Sequence, residues 1–547
     1  NNTAIGRDSL GANTTGGQNT ALGQEASKDN TTGYSNVAVG RQALTDNTTG
    51  FENVAIGARA LFTNTTGDHN VAVGRSALAV NTTGDDNTGV GYSSLLANTT
   101  GTNNVALGIY TLRYNSTGVA NTGLGRNALA NNTTAANNTA VGSQALLANT
   151  TGTPNTAVGK SALESNTTGT NNVAVGDNAL NANSTAYSNT AVGSAALQGN
   201  TVGFQNIGVG YASLATNSTG DKNTAVGVYA LRYATTADNN TAFGWSASAA
   251  NTTGYNNVAV GLNAATTNTT GTNNTAVGVQ ALNSNTTAND NTAVGKNSLY
   301  GNTTGHSNVA VGLDSLKANT TGIRNTAVGY QALLSATTAA GNTAFGAYAG
   351  DSTTTGANNT FIGYDTAPAN TTGENNVSLG ASSLHANTTA SNNTSIGTYS
   401  LYVNTTGADN VAIGAYALDA NTTAANGTAV GRNALSANTT GASNTGLGSH
   451  ALVANTTGEE NVAVGVNALG ANTTGHYNNA VGTGALAANT TGYANIAIGF
   501  EALLTNITGA ENTANGYRAL KLNTTGDFNV ATGRGALFNN TTADNNA

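Results

Sequence analysis

Along Asn36–Glu52, NVAVGRQALTDNTTGFE, apolar and polar positions follow an order that returns every 17 residues. A β-branched residue, a small one and an aliphatic one precede a glycine; a variable pair, Ala-Leu, a second variable pair, Asn-Thr-Thr-Gly and a last variable pair complete the unit. With the leading Asn as place one, the frame holds from Asn2 to Asn546 through 32 copies, without insertion or deletion. Three residues in which a β-branched and an aliphatic residue flank a small one, stopped by glycine, predict a short strand. A unit of 17 residues is too short for two helices, since helical repeats need about 33 or more. The pattern therefore predicts an all-β chain: a parallel β-solenoid (β-roll or β-helix) of about 32 coils, one coil per repeat.

The two glycine places differ in what they demand. Place five is Gly in all 32 copies, as at Gly40, Gly57, Gly74 and Gly295. It therefore requires a positive φ or a close backbone approach, and these glycines are structural turn residues. Place fifteen is Gly in 24 copies and Ala in eight, including Ala135 and Ala186, so it asks only for a small residue.

Exceptions suggest which side chains share the interior. Phe occupies place four only at Phe243 and Phe345, and in those copies the Leu of place nine is replaced by Ser248 and Gly350. A third copy without that Leu, ending in Ala367, carries Phe361 nearby. An exchange of volume implies a shared space in a close-packed interior. Places four and nine are then expected to face each other, with Val39, Leu44, Ile56, Leu61, Phe243 and Phe345 in the core. Strand alternation would put place two inward as well and place three outward. Place three is nevertheless Ala, Gly or Ser everywhere except Phe361. Either a second chain approaches there, making Ala38, Ala55, Ala72 and Gly89 interchain candidates, or the coil is too thin to admit anything larger.

Composition narrows the function. Across 547 residues only 8% are charged, and the net charge is −8. An unbroken repeat implies a single solenoid domain over residues 1–547, and because both ends fall inside the pattern, a segment of a longer fibre chain is expected. With no Cys, disulfides and thiolate metal sites are excluded. The 17 Lys and Arg residues are scattered singly, which argues against nucleic acid as a partner. No stretch is apolar enough to span a membrane.

Candidate chemistry is sparse. His306 and His476 share a column but stand ten coils apart, about 48 Å at the spacing between strands, too far to share a metal. Acidic neighbours such as Asp85–Asp86 and Glu459–Glu460 read as solvated turns rather than paired glycosidase carboxylates. Neither a catalytic residue, a metal site nor a cofactor is expected.

The Asn-Thr-Thr segment has two readings. Asn47, Asn64, Asn81 and Asn98 begin Asn-x-Thr sequons and are glycosylation candidates. They are equally candidates for an Asn ladder, in which amides stack from coil to coil. Place one, which has no sequon where Ala follows two residues on, is held as Asn just as strictly, which favours the ladder.

At NVAVGRQAL, NVAIGARAL and NVAVGRSAL the chain resembles the Asn-Ser-Val-Ala-Ile-Gly-x-x-Ala repeats in head domains of trimeric autotransporter adhesins, and similar repeats in phage-type tail-fibre shafts. The resemblance implies a left-handed parallel β-roll, a homo-oligomer of three chains or a head-to-tail filament, and a surface role in attachment to a glycan or host receptor. Those heads use a shorter period, so the Asn-Thr-Thr-Gly segment enlarges the turn here. The expected function is a structural, adhesive fibre protein without catalysis, extracellular on a cell or virion surface. Two rivals are an ice-binding solenoid, weakened because Thr48 and Thr49 point to opposite faces, and a tailspike-like polysaccharide-degrading enzyme, for which the unbroken frame supplies no groove.

Overall fold

The computed structural model describes residues 1–547. The chain divides into two compact units, Asn1–Asn273 and Asn274–Ala547. The first contains sixteen strands from Thr3–Ile5 to Val258–Val260, and the second sixteen from Thr275–Val277 to Val530–Thr532. In each unit every strand pairs in parallel with its successor, one repeat on: Val37 with Val54, Ala38 with Ala55, Val39 with Ile56. The same register holds at Thr292, Ala293 and Val294 against Val309, Ala310 and Val311. Both units are β-solenoids with a period of 17.

Hydrogen bonding between coils continues well beyond the three-residue strands. Leu44 N–H donates to the Ala60 carbonyl at 2.9 Å, Asp46 N–H to Phe62 at 3.0 Å and Thr48 N–H to Thr65 at 2.9 Å. Turn backbone is thus paired along the stack, as buried peptide groups must be.

The strand alternation is present, but its phase is the reverse of the expectation. Place three faces the interior: Ala38, Ala55 and Ala72 have no exposed surface. They are core residues, and they do not form an outer surface at which a second chain could approach. Places two and four point outward, so Val39 is only half-buried, Ile56 is 40% exposed, and Phe243 and Phe345 are 57% and 58% exposed. Those four do not belong to the core. Leu44 and Leu61 are fully buried.

The thinness of the coil explains the reversal. Leu of place nine crosses the interior and ends against place three of the next coil. A Cβ built on Gly89 would lie 3.4 Å from both Cγ and Cδ1 of Leu78, and one on Gly446 would lie 3.4 Å from Leu435 Cγ. Little more than a methyl group fits there beside a Leu. Phe361, the one large residue at place three, is fully buried, and the preceding coil has Gly350 at place nine. A Cβ on Gly350 would come within 2.5 Å of Phe361 Cδ2. Volume is exchanged, but between places nine and three. The Ala of place eight (Ala43, Ala60), a column that sequence reasoning passed over, completes the apolar interior.

Glycine at place five satisfies two demands together. Gly40, Gly57, Gly74 and Gly295 have φ of +133°, +130°, +133° and +126°. A Cβ on Gly295 would sit 2.5 Å from the Gly312 carbonyl oxygen. Left-handed backbone also occurs where nothing in the residue types announces it: Gln42, Leu44 and Glu52 have φ of 59°, 53° and 52°. Each costs about 1–2 kcal/mol in isolation, and the hydrogen bonds to adjacent coils hold it.

Candidate functional site

Interior, sheet face and turns each present a different chemistry. In the interior, Asn47, Asn64, Asn81 and Asn98 are fully buried. Asn47 Nδ2 donates to Asn30 Oδ1 at 2.7 Å, and Asn64 Nδ2 to Asn47 Oδ1 at 2.9 Å. The same nitrogens reach back to their own turn, Asn47 Nδ2 to the Gly50 carbonyl at 2.9 Å. That carbonyl also accepts from Asn36 Nδ2 at 2.8 Å, so the two Asn columns converge on place fifteen. A glycan on Nδ2 would require a donor already used twice inside a closed coil, so these four are ladder residues and not attachment points in the folded chain. Thr48 adds a hydroxyl bond to the Thr65 carbonyl at 3.0 Å.

On the sheet face, places two and four form two outward columns. Their residues are Val, Ile, Leu and Thr with few exceptions, and Ile56, Leu107 and Leu124 stand 40%, 38% and 46% exposed. For the sixteen strands of one unit, this strip covers about 500 Å² at ordinary strand and residue spacings. Place two is Thr in nine of the sixteen strands of the first unit, so the continuous apolar column on this face is that of place four.

The turns carry the charge. His69 lies between Glu52 at 3.4 Å and Asp86 at 3.6 Å, all three at place seventeen of successive coils. Lys521 at 2.7 Å and Arg518 at 2.8 Å both bond Glu501 and hold its carboxyl below the usual carboxylate range. Desolvation pushes the carboxyls of Asp351 and Asp419 upward. His306 and His476, ten coils apart in sequence, are not brought together.

Sequence reasoning missed the edge that follows the strand. There, at places six, seven, ten and eleven, aromatic and Arg side chains stack. The Arg113 guanidinium carbon lies 4.6 Å from the centre of the Tyr110 ring and 5.1 Å from that of Tyr114. Tyr92 meets Tyr110 edge to face at 5.3 Å. In the same unit, Arg232 sits 4.5 Å and 5.1 Å from Tyr229 and Tyr233, with Tyr211 at 5.5 Å from Tyr229. Recurrence of the same residue types seven coils on (Tyr92, Tyr110, Arg113 and Tyr114 against Tyr211, Tyr229, Arg232 and Tyr233) was the available signal.

No family model matches the chain, and no curated protein is similar to it. The functional reading therefore rests on these surfaces.

Proposed function

We propose that this chain is a structural segment of an extracellular or virion-surface fibre, used for attachment and not for catalysis, in which copies of the chain join through the outer sheet face. The exposed apolar strip of places two and four carries the reading. In each unit it is repetitive, and its aliphatic side chains gain roughly 25 cal/mol for every Å² of apolar surface removed from water. A parallel stack presents the same strip at every coil, so copies can align along their length rather than at one spot. Three chains around an axis is the preferred arrangement, with a head-to-tail filament as the alternative. The resemblance to adhesin heads and tail-fibre shafts supports the attachment role and the surface location.

Sedimentation tests the assembly. The chain is expected to sediment as an oligomer, and Ile56→Glu with Leu107→Glu is expected to yield a folded monomer, because facing copies would bring the introduced carboxylates together at low dielectric. A monomeric wild type, or an unchanged oligomer in the variant, would remove the interface. Adhesion is tested separately, by binding of the intact fibre to cells.

One observation favours a second reading. Thr at place two, as in Thr88, Thr122 and Thr139, stands beside an aliphatic residue at place four on the same outward face, in a regular two-column array. An ice-binding surface would use such an array, independently of Thr48 and Thr49. Inhibition of ice recrystallisation that is lost on Thr122→Glu with Thr139→Glu would select it over the fibre.

A further inference from the structure

The aromatic edge differs from the rest of the surface in charge as well as in shape. Across the five coils from Asn53 to Asn137, places six, seven, ten and eleven hold Arg59, Arg75, Arg113 and Arg126 and no Asp or Glu. This run of positive charge belongs to a chain whose net charge is −8. None of the four forms a salt bridge. Three of them lie against aromatic rings: Arg59 over Phe62 at 4.5 Å, Arg75 over Tyr92 at 5.8 Å, and Arg113 between Tyr110 and Tyr114. Tyr92 and Tyr114 remain 40% and 47% exposed.

A comparable cluster elsewhere shows what a purely structural arrangement looks like. Arg518 lies 5.0 Å from the Tyr517 ring centre and 5.9 Å from that of Phe500. Its charge is neutralised by Glu501 at 2.8 Å. The edge from Arg59 to Arg126 lacks any such counter-charge, although the variable places of neighbouring coils accept Asp and Glu, as at Asp46 and Glu164.

We propose that this edge, centred on Tyr92, Tyr110, Arg113 and Tyr114, binds an acidic glycan chain running along the stack. Sugar rings would lie against the exposed tyrosine faces, whose electron-rich surfaces attract the polarised C–H groups of a pyranose. Carboxylate or sulfate groups would pair with the guanidinium forks, already oriented by the rings beneath them, in the bidentate geometry that arginine favours. The four arginines span about 19 Å at strand spacing, so the site suits a chain of several sugars rather than one. Single-stranded nucleic acid also uses Arg and aromatic stacking. It draws its affinity from many phosphate contacts, however, and four cations on an acidic body favour the glycan.

The inference deepens the attachment reading and rests on it for a biological setting, but its chemistry is tested separately. Binding of the full chain to oligomers of polygalacturonate and of chondroitin sulfate would be measured by calorimetry, with neutral dextran and oligothymidylate as comparisons. The acidic glycans are expected to bind and dextran not to. Arg75→Gln with Arg113→Gln should weaken that binding at least tenfold, Tyr110→Ala should also weaken it, and Arg518→Gln should leave it unchanged. Circular dichroism of each variant reports retained β structure. Equal binding of dextran, preference for oligothymidylate, or unaltered affinity in a folded double variant would each overturn the proposal. Loss of acidic-glycan affinity in a double variant that still attaches to cells would overturn this site as the attachment surface and leave the fibre reading intact. Loss of acidic-glycan affinity in the double variant, in a fibre that attaches to no cell, would support the site and remove the attachment role.

Discussion

The pairing of places nine and three can be tested by moving a side chain from one to the other. Leu435 is fully buried, and truncating it to Ala should cost about 2–5 kcal/mol locally, because a closed coil with hydrogen bonds on both sides cannot collapse onto the cavity. Gly446, at place three of the next coil, faces that space. A Cβ there would lie 3.4 Å from Leu435 Cγ and 3.5 Å from Cδ1. Gly446→Leu alone overpacks the coil and should cost about 1–3 kcal/mol. Combined with Leu435→Ala it restores the lost volume from the opposite wall, as Phe361 does beside Gly350. The double variant should then be more stable than the sum of the single effects by about 2 kcal/mol, within the range seen for residues in contact.

Repeat stacks unfold by segments, so a single melting temperature is a poor gauge. Native-state hydrogen exchange is the assay, read at the Leu435 amide, which donates to the Ala451 carbonyl at 2.9 Å, and at the Leu452 amide of the next coil. Strict additivity would refute the shared pocket. So would rescue of Leu435→Ala by Val430→Phe, since Val430 is at place four, on the outer face.

Other perturbations probe the backbone, the ladder and the turns. Gly295→Ala combines a φ of +126° with a Cβ 2.5 Å from the Gly312 oxygen and should destabilise its coil by about 2–4 kcal/mol, measured by exchange at adjacent amides. Asn81→Ala removes the bond to Asn64 Oδ1 at 2.8 Å, the bond to the Gly84 carbonyl at 2.9 Å and the acceptor for Asn98 Nδ2, for a loss of about 2–4 kcal/mol by the same measurement. Asp419 has its carboxyl pushed up by burial, and its Oδ1 lacks a partner. A carboxyl raised in the folded state favours folding below its unfolded pKa and loses that advantage as pH rises through the folded one, so Asp419→Asn should raise thermal stability near about pH 7 and bring little change near about pH 3.

How much of this was legible in the sequence depends on the column. The period, the parallel stacking register and the strand at places two to four follow from residue order, because Gly at place five recurs in every copy and the 17-residue frame never slips. The phase of the strand was not legible. Val, Ile and Thr favour a pleated, half-buried surface whichever way it faces, so apolar residues at Val37 and Val39 look like core while lying outside. Ala38 looks like a contact surface while lying inside. Phe361 was the informative residue, since it alone placed the exchanged volume at place three. Leu44 gave no sign of its left-handed backbone, because Leu has no preference for that region and only the stack around it imposes the conformation. Asn47 could be read two ways, and burial separated them.

The same division explains where function can be written on such a coil. Inside, Asn at places one and twelve, Ala at three and eight, Leu at nine and Gly or Ala at fifteen are tied to neighbours on both sides. A change there propagates as an unpaired amide, a cavity or a clash, and Gly350 is matched by Phe361 in the next coil. Places six, seven, ten, eleven, sixteen and seventeen project from backbone whose own bonds run to backbone of adjacent coils, although an Asp at place sixteen adds a bond of its own, as Asp68 does by accepting from the Phe51 N–H. Arg, Tyr, Asp and His can be exchanged there at small cost to the fold. Each such place recurs at one strand spacing, so residues far apart in sequence become neighbours in a column, as Arg75, Tyr92, Ile109 and Arg126 do in succession at place six. A one-dimensional choice of residues at fixed intervals thus becomes a two-dimensional surface of chosen charge and aromaticity. The aromatic edge uses this property: its Tyr and Arg residues alter the surface presented to a ligand while the coil beneath keeps its alanines, leucines and amide ladders.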